Sequence, residues 1–255
     1  MDLQLSGKRV AVFGGTKGIG LKIVEAFAGE GAQLAICARN ADDVGNVVQQ
    51  ISEKGGSIEG RSVDITDKAA VADWIAHLNQ GGGIDVAVMC VSALSTGATE
   101  DDWQRSVDID ILASVKLIEA LSPVLTQAAE RNGDAALVYI STTVAREAVN
   151  MAAYGPVKSA MANFCKLKAR ELAPKKVRVN VVSPGLVFFE GGIWHKLKDL
   201  MPDRYEMAIG RSPTGRMAKP EEVADATVFL ASPRSSFTTG ANLTVDGGLT
   251  LGVQF

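Results

Sequence analysis

Histidine and cysteine are scarce in this chain, and their scarcity excludes several chemistries at once. The only histidines are His77 and His195, far apart in sequence. No HExxH or GxSxG stretch occurs, so neither zinc-dependent hydrolysis nor a serine nucleophile elbow is expected, and no metal is. The three cysteines, Cys37, Cys90 and Cys165, form no CxxC pair, and an odd number cannot all pair within one chain. Reduced thiols in a cytoplasmic protein are the simplest expectation. No apolar run approaches the ~18 residues of a membrane span. The opening MDLQLSGKRVAVFGG lacks the basic-then-apolar pattern of a signal peptide. Positive charge is not in excess either: 26 basic against 29 acidic residues give a net charge of −3. That argues against a nucleic-acid footprint, which needs clustered basic charge.

What is present is an ordinary globular composition, 47% hydrophobic and 22% charged over 255 residues. A chain this long buries about three quarters of its unfolded surface and needs no disulfide or metal to hold together. Short β-branched runs alternate with longer helical patterns. Strands are expected at 9–13, 33–38, 57–64, 85–91, 135–141, 177–183 and 242–245. Helices are expected at 19–28, 41–53, 68–78, 101–130, 154–173 and 221–231. Runs such as VAVF, VAVMCV and VRVNVV are nearly all apolar, as strands covered on both faces should be. Strict β–α alternation predicts an α/β fold of the Rossmann type, a doubly wound, seven-stranded parallel sheet with helices on both faces. No linker or repeat divides residues 1–255, so a single domain is expected. Residues 186–220 lack a strand and are the expected lid. Ligands of such sheets bind beyond the carboxyl ends of the strands, at the switch point.

Directly after the first strand comes Gly14-Gly15-Thr16-Lys17-Gly18-Ile19-Gly20, followed by an amphipathic helix. Gly14 permits the tight turn, Gly18 lets a pyrophosphate approach the backbone, and Gly20 allows close helix–strand packing. The following helix N-terminus offers unpaired N–H groups and a positive dipole end to phosphate. GxxxGxG alone is a weak signal; its place at the first strand–helix joint of a βαβ unit gives it weight. A carboxylate that would grip a ribose 2′-OH is missing after the second strand, where Ala38 and Arg39 stand instead. Arg39 and Lys17 suit a 2′-phosphate, so NADP(H) is expected over NAD(H), the bland reading being two solvated surface charges. Asp64, closing the third strand, is either an acceptor for the adenine amino group with Ile65 beside the ring, or simply an acid near a helix N-terminus.

Tyr154 and Lys158 are spaced i, i+4 and share one helix face. Pro156 between them is tolerated in a first helical turn. A phenol of ordinary pKa is a poor proton-transfer group at neutral pH, and a neighbouring ammonium lowers that pKa. Ser141 ends the fifth strand, where its hydroxyl can orient a substrate oxygen. Together these groups suit carbonyl polarisation and the exchange of one proton.

With these residues assembled, the chain resembles the short-chain dehydrogenases/reductases of the single-domain, roughly 250-residue type. The motifs that carry the likeness are GGTKGIG, VDITD (63–67), ISTT (140–143), YGPVK (154–158), VRVNVVSPG (177–185), GRMAKPEEVA (215–224) and TGANLTVDGG (239–248). The resemblance implies a nicotinamide cofactor and an alcohol or ketone substrate. It makes Tyr154 the acid/base, has Lys158 bind the nicotinamide ribose hydroxyls, and gives substrate orientation to Ser141, or to Thr142 in another alignment. Pro184, Gly185 and Val187 are implied beside the nicotinamide, and the loop containing Val91 beside the adenosine ribose. A homotetramer is likewise implied.

The sequence departs from the family pattern at three places. Met89-Cys90-Val91-Ser92 replaces the usual Asn-Asn-Ala-Gly. Asp110 takes the place of the Asn that supports a water relay behind the lysine. Phe189 stands where a Thr often touches the carboxamide. Cys90 is either a reactive thiol or, more simply, a small residue at a strand end. In the lid, Leu197, Leu200 and Met201 make an apolar stripe behind a Gly191-Gly192 hinge. The stripe fits a hydrophobic or cyclic substrate body, or else ordinary core or a subunit contact. The expected activity is NADP(H)-dependent interconversion of a ketone and a secondary alcohol. A 3-oxoacyl thioester reductase is the enzyme alternative, and an NADP(H)-binding regulator or scaffold with little turnover is the alternative of another class.

Overall fold

The computed structural model describes residues 1–95, 97–147 and 153–253. Seven strands are built from the apolar runs: β1 (Arg9–Phe13), β2 (Gln33–Ala38), β3 (Ser57–Ser62), β4 (Val86–Met89), β5 (Ala135–Ile140), β6 (Val177–Pro184) and β7 (Asn242–Val245). They form one sheet in the order β3-β2-β1-β4-β5-β6-β7. Every pairing is parallel. The winding reverses between β1 and β4, where Val10 lies opposite Val86 and Phe13 opposite Met89. That reversal leaves a crevice at the carboxyl edge.

The two-residue period of each strand sorts its side chains into two cores. From β1, Ala11 and Phe13 join one core with Leu137 and Tyr139 of β5. Val10 and Val12 join the other with Val138 and Ile140. The first core is covered by α3 (Lys68–Gln80), α5 (Ser114–Asn132) and α6 (Tyr154–Leu172), through Trp74, Leu117, Leu121 and Met161. The second is covered by α1 (Gly18–Gly29), α2 (Ala41–Glu53) and α9 (Pro220–Ala231), through Val24, Phe27, Val47 and Val228.

The expected helix at 101–130 is present but not uniform. It begins as α4 (Glu100–Ser106), passes through a π-helical stretch at Val107–Ala113, and resumes as α5. A reciprocal Thr99–Asp102 capping box starts it. The 186–220 segment contains two short helices, α7 (Ile193–Leu200) and α8 (Pro202–Gly210). Val187 and Ala218 pair as an isolated bridge at its base.

Arg178 of β6 fastens the sheet to α9. It is 4% exposed. Its guanidinium donates to the Asp134 carboxylate at 2.8 and 3.1 Å and to the Leu230, Ala231 and Ser232 carbonyls at 2.6, 3.1 and 3.0 Å. Those carbonyls close the C-terminal end of α9, where backbone acceptors lack helical partners.

Candidate active site

The glycine turn is folded tightly on itself. Gly14 has φ +89°, and its N–H donates to the Cys37 carbonyl at 2.9 Å. A Cβ at Gly14 would stand 2.9 Å from the Cys90 carbonyl oxygen, so a side chain is excluded by backbone as well as by φ. At Gly20 a Cβ would lie 3.0 Å from the Gly14 carbonyl carbon and closer still to its oxygen. Thr16 and Ile19 are half-buried in the turn. No side chain caps α1 at Lys17, which leaves the first-turn N–H groups and the positive dipole end facing the crevice. These features fit a dinucleotide phosphate.

The residues expected beside the adenosine converge at the ends of β2 and β3. A cavity of about 180 Å³ is lined by Gly14, Arg39, Asp64, Ile65 and Val91. Asp64 Oδ1 accepts from the Thr66 N–H and hydroxyl at 2.9 and 2.8 Å. Burial pushes its carboxyl up, but the Thr66 bonds and the Arg39 charge outweigh this and hold it below the usual range. Lys17 does not stand free: Nζ is 2.7 Å from Asp43 Oδ2 in the first turn of α2. A larger cavity, about 220 Å³, opens at the opposite edge beside Arg9, Gln33 and Glu59, remote from the glycine turn.

Phe189 covers the turn from the lid side. A Cβ at Gly18 would meet its ring at 2.6 Å, and one at Gly192 would meet it at 2.9 Å, so the ring lies between the two glycines. Pro184, Gly185 and Val187 lead to it from the end of β6. The Gly185 N–H donates to the Val245 carbonyl at 2.9 Å, and Val187 is buried.

The residues expected to transfer the proton meet at the carboxyl end of β5. Tyr154 opens α6 and is half-buried. Lys158, one turn on, is 2% exposed. Its Nζ donates to Tyr139 Oη at 3.0 Å and to the Ile140 carbonyl at 3.3 Å. It also lies 3.2 Å from Asp110 Oδ1 and 5.9 Å from the Tyr154 ring centre. The Asp110 contact is ionic, since Oδ1 has no aligned hydrogen bond. Oδ2 accepts from the Ala93 N–H at 3.0 Å. Asp110 is fully buried on the π-helical stretch. Such turns widen a helix and are frequent at functional sites.

Burial pushes the Tyr154 phenol up; Lys158 pulls it down, Asp110 and Cys90 push it up again, and a Thr142 hydrogen bond pulls it down. The net result lies above the ordinary phenol value, so the ammonium acts in the expected direction but burial outweighs it. Burial likewise disfavours the Lys158 ammonium, yet Tyr139, Tyr154 and Asp110 outweigh it and hold the amine charged. Burial pushes Cys90 up to about 11 and Cys165 to about 12. Both thiols are protonated at neutral pH, which agrees with a packing role for Cys90.

The two candidate hydroxyls separate. Ser141 Oγ is buried and has no hydrogen-bond partner. Thr142 lies near enough to the Tyr154 phenol to pull its pKa down, and it caps the 3-10 turn Thr143–Ala145 by accepting from the Val144 N–H at 3.3 Å. Sequence reasoning missed Tyr139 altogether. The available signal was the strand period: Tyr139 lies two residues before Ser141 and therefore shares its face of β5.

A protein-family profile described as Enoyl-(Acyl carrier protein) reductase matches residues 14–250. Isoepoxydon dehydrogenase patN of Aspergillus clavatus is 34% identical, over 99% of this chain and 98% of its own. The 3-oxoacyl-(acyl-carrier-protein) reductase FabG of Chlamydia pneumoniae is 31% identical, over 98% of this chain and 100% of its own. The crystal structure of L-sorbose reductase from Gluconobacter frateurii, complexed with NADPH and L-sorbose, superposes with a TM-score of 0.89 at 28% identity, covering 99% of this chain and 100% of that one. Match and fold agree along almost the whole length, and the chain belongs to the short-chain dehydrogenase/reductase family of oxidoreductases.

Proposed function

We propose that this protein is an NADP(H)-dependent oxidoreductase that interconverts a ketone and a secondary alcohol. The observation that carries the reading is the meeting of Tyr154, Lys158 and Thr142 at the end of β5, beside the switch point that presents the glycine turn. The turn from Gly14 to Gly20 and the N-terminus of α1 hold the pyrophosphate. Asp64, Ile65 and Val91 border the adenosine, and Pro184, Gly185 and Val187 border the nicotinamide. Arg39 receives the 2′-phosphate, with Lys17 contributing what Asp43 leaves of its charge. The NADPH in the L-sorbose reductase complex supports that choice.

When bound, the dinucleotide supplies or accepts the hydride. This chain's own residues manage the proton and the orientation. Thr142 donates to the substrate oxygen and fixes it against Tyr154. Tyr154 gives its phenolic proton to that oxygen in reduction and takes it back in oxidation. Lys158 supplies the positive charge that stabilises the phenolate. Because the Tyr154 phenol lies above its ordinary value, reduction needs no special pH: the acid form persists through neutrality and is lost only in strong alkali. Oxidation needs the phenolate and rises with pH over the same range.

The lid spans 186–220, and Ile193, Leu200, Met201 and Met207 on it are exposed apolar side chains. They favour a substrate with a hydrophobic or cyclic body. A 3-oxoacyl thioester is the second reading, supported by the likeness to FabG. The exposed Phe229, Phe237 and Leu243 near edge strand β7 suit self-association into the expected homotetramer.

The test is NADPH and NADH binding by fluorescence titration, then NADPH oxidation against ketones and 3-oxoacyl thioesters. Tyr154→Phe is expected to keep NADPH binding and lose turnover by about 10²–10⁴-fold. Binding without turnover on any carbonyl would favour a regulatory protein. A preference for NADH would overturn the roles of Arg39 and Lys17.

A further inference from the structure

We propose that Tyr139 is a positioning residue: with Asp110 it anchors the Lys158 ammonium on the interior side of the site and thereby sets where Tyr154 ionises. The inference deepens the reading of Tyr154 as acid/base and uses only groups of this chain.

Tyr139 is 0% exposed and faces the core beneath α5 and α6, so it touches no substrate. A phenylalanine would fill nearly the same volume without burying a hydroxyl. A buried hydroxyl is costly unless it is hydrogen-bonded, and the partner of this one is Lys158. The ammonium sits 4.7 Å from the Tyr139 ring centre but 5.9 Å from that of Tyr154. Tyr139 Oη and the Ile140 carbonyl hold it from β5, and Asp110 holds it from the π-helical stretch. Nζ thus makes two hydrogen bonds and one ionic contact to protein oxygens, none belonging to Tyr154.

The titratable groups around Nζ, among the described residues, come from each neighbouring element: Tyr139 from β5, Asp110 from the π-helical stretch, Cys90 beyond β4, and Tyr154 and Cys165 from α6. Burial pushes Tyr139 up to about 12, so it remains a neutral phenol beside the lysine. With both thiols neutral, the charges are Lys158 and Asp110, a buried pair of zero net charge. The Asp110 carboxylate therefore cancels much of the field that would lower Tyr154. Tyr139 keeps the ammonium drawn back from it. Removing either restraint frees the lysine to favour the phenolate.

The experiment follows tyrosinate absorbance in stopped-flow pH jumps, read before the chain unfolds, and needs no substrate. The chain has three tyrosines, Tyr139, Tyr154 and Tyr205. The difference between each protein and the same protein carrying Tyr154→Phe isolates Tyr154. Asp110→Asn is expected to move the Tyr154 midpoint down by about one pH unit, and Tyr139→Phe to move it down by less. A Tyr154 midpoint unmoved by Tyr139→Phe overturns the proposal. Should Tyr139→Phe fail to fold, Lys158→Met tests the same contact from the other side. Loss of the ammonium must raise the Tyr139 midpoint further, and an unmoved Tyr139 midpoint overturns the anchor. Shifted midpoints in a protein that reduces no carbonyl would uphold the anchor while refuting the proposed activity.

Discussion

Gly20→Ala sets two effects of opposite sign against each other. Gly20 lies in the first turn of α1 and its φ is not positive, so alanine is conformationally allowed there. Helix propensity alone would favour the substitution by about 1 kcal/mol. The added Cβ, however, would sit 3.0 Å from the Gly14 carbonyl carbon and closer to its oxygen, with Gly15 Cα at 3.4 Å. Carbon pairs rest at about 3.5–4.0 Å, so the helix and the turn must separate by roughly 0.5–1 Å. All three obstacles are backbone, and the turn is itself tied to β2 through the Gly14–Cys37 hydrogen bond of 2.9 Å. Overpacking against parts that cannot swing aside costs about 1–3 kcal/mol, and more where backbone must move. The net expectation is a loss of about 1–2 kcal/mol, or a melting temperature lower by about 2–8 °C, with weaker dinucleotide binding because the phosphate turn has shifted. Gly45→Ala is the control. It lies inside α2 with nothing within 4 Å of the added Cβ, so only propensity acts and the melting temperature rises by about 2–4 °C. Thermal melting and NADPH titration of both variants decide the matter. A Gly20→Ala protein that melts no lower than the parent and binds NADPH equally well would refute the close-packing argument.

Two further substitutions probe other parts of the frame. Arg178→Met removes a buried cation that serves Asp134 and three carbonyls at the end of α9. Denaturant unfolding is expected to show a loss of about 3–5 kcal/mol, and a loss under 1 kcal/mol would mean that solvent satisfies those groups. Phe189→Ala uncovers the backbone of Gly18, and NADPH affinity is expected to rise by about fivefold as about 1 kcal/mol of ring burial no longer has to be given up. An unchanged dissociation constant would show that the ring does not compete with the cofactor.

β1 and β2 were legible because they are almost wholly buried, and they run over the expected residues at both ends; edge strand β7, only partly buried, does so too. β4 is shorter than expected at both ends, Val86–Met89, although the Asp85 backbone still bonds to Arg9 and Ala136 and the Cys90 N–H to Phe13. The long helix was legible as a helix but not in its break, since a π-helical stretch arises from how the chain packs and carries no residue signature. α7 and α8 are too short for a 3.6-residue period to stand out, and only the apolar stripe showed. Within the site, the glycine turn and the Tyr154–Lys158 spacing could be read directly, because each is local in sequence. Tyr139, Asp110 and Phe189 act through partners tens of residues away. Sequence placed Asp110 only through family likeness and gave no reason to look at Tyr139. Which of Ser141 and Thr142 orients a substrate depends on how the end of β5 bends, which a pattern of two hydroxyls cannot convey.

The reversal between β1 and β4 has a consequence for how the protein is made. The phosphate turn belongs to the first strand–helix joint, yet one wall of its crevice is supplied by Cys90 and Val91, beyond a strand that pairs across more than seventy residues. Tyr154 and Lys158 come later still, from α6. During synthesis the glycine turn therefore leaves the ribosome before the residues that wall its crevice. Pairings this distant in sequence are slow to form, because loop closure must precede their reward. A dinucleotide recognises only the finished arrangement, and it adds stability in proportion to RT ln(1 + [L]/Kd). A dinucleotide bound there is thus expected to raise the yield of folded chains as well as to serve the proposed reaction.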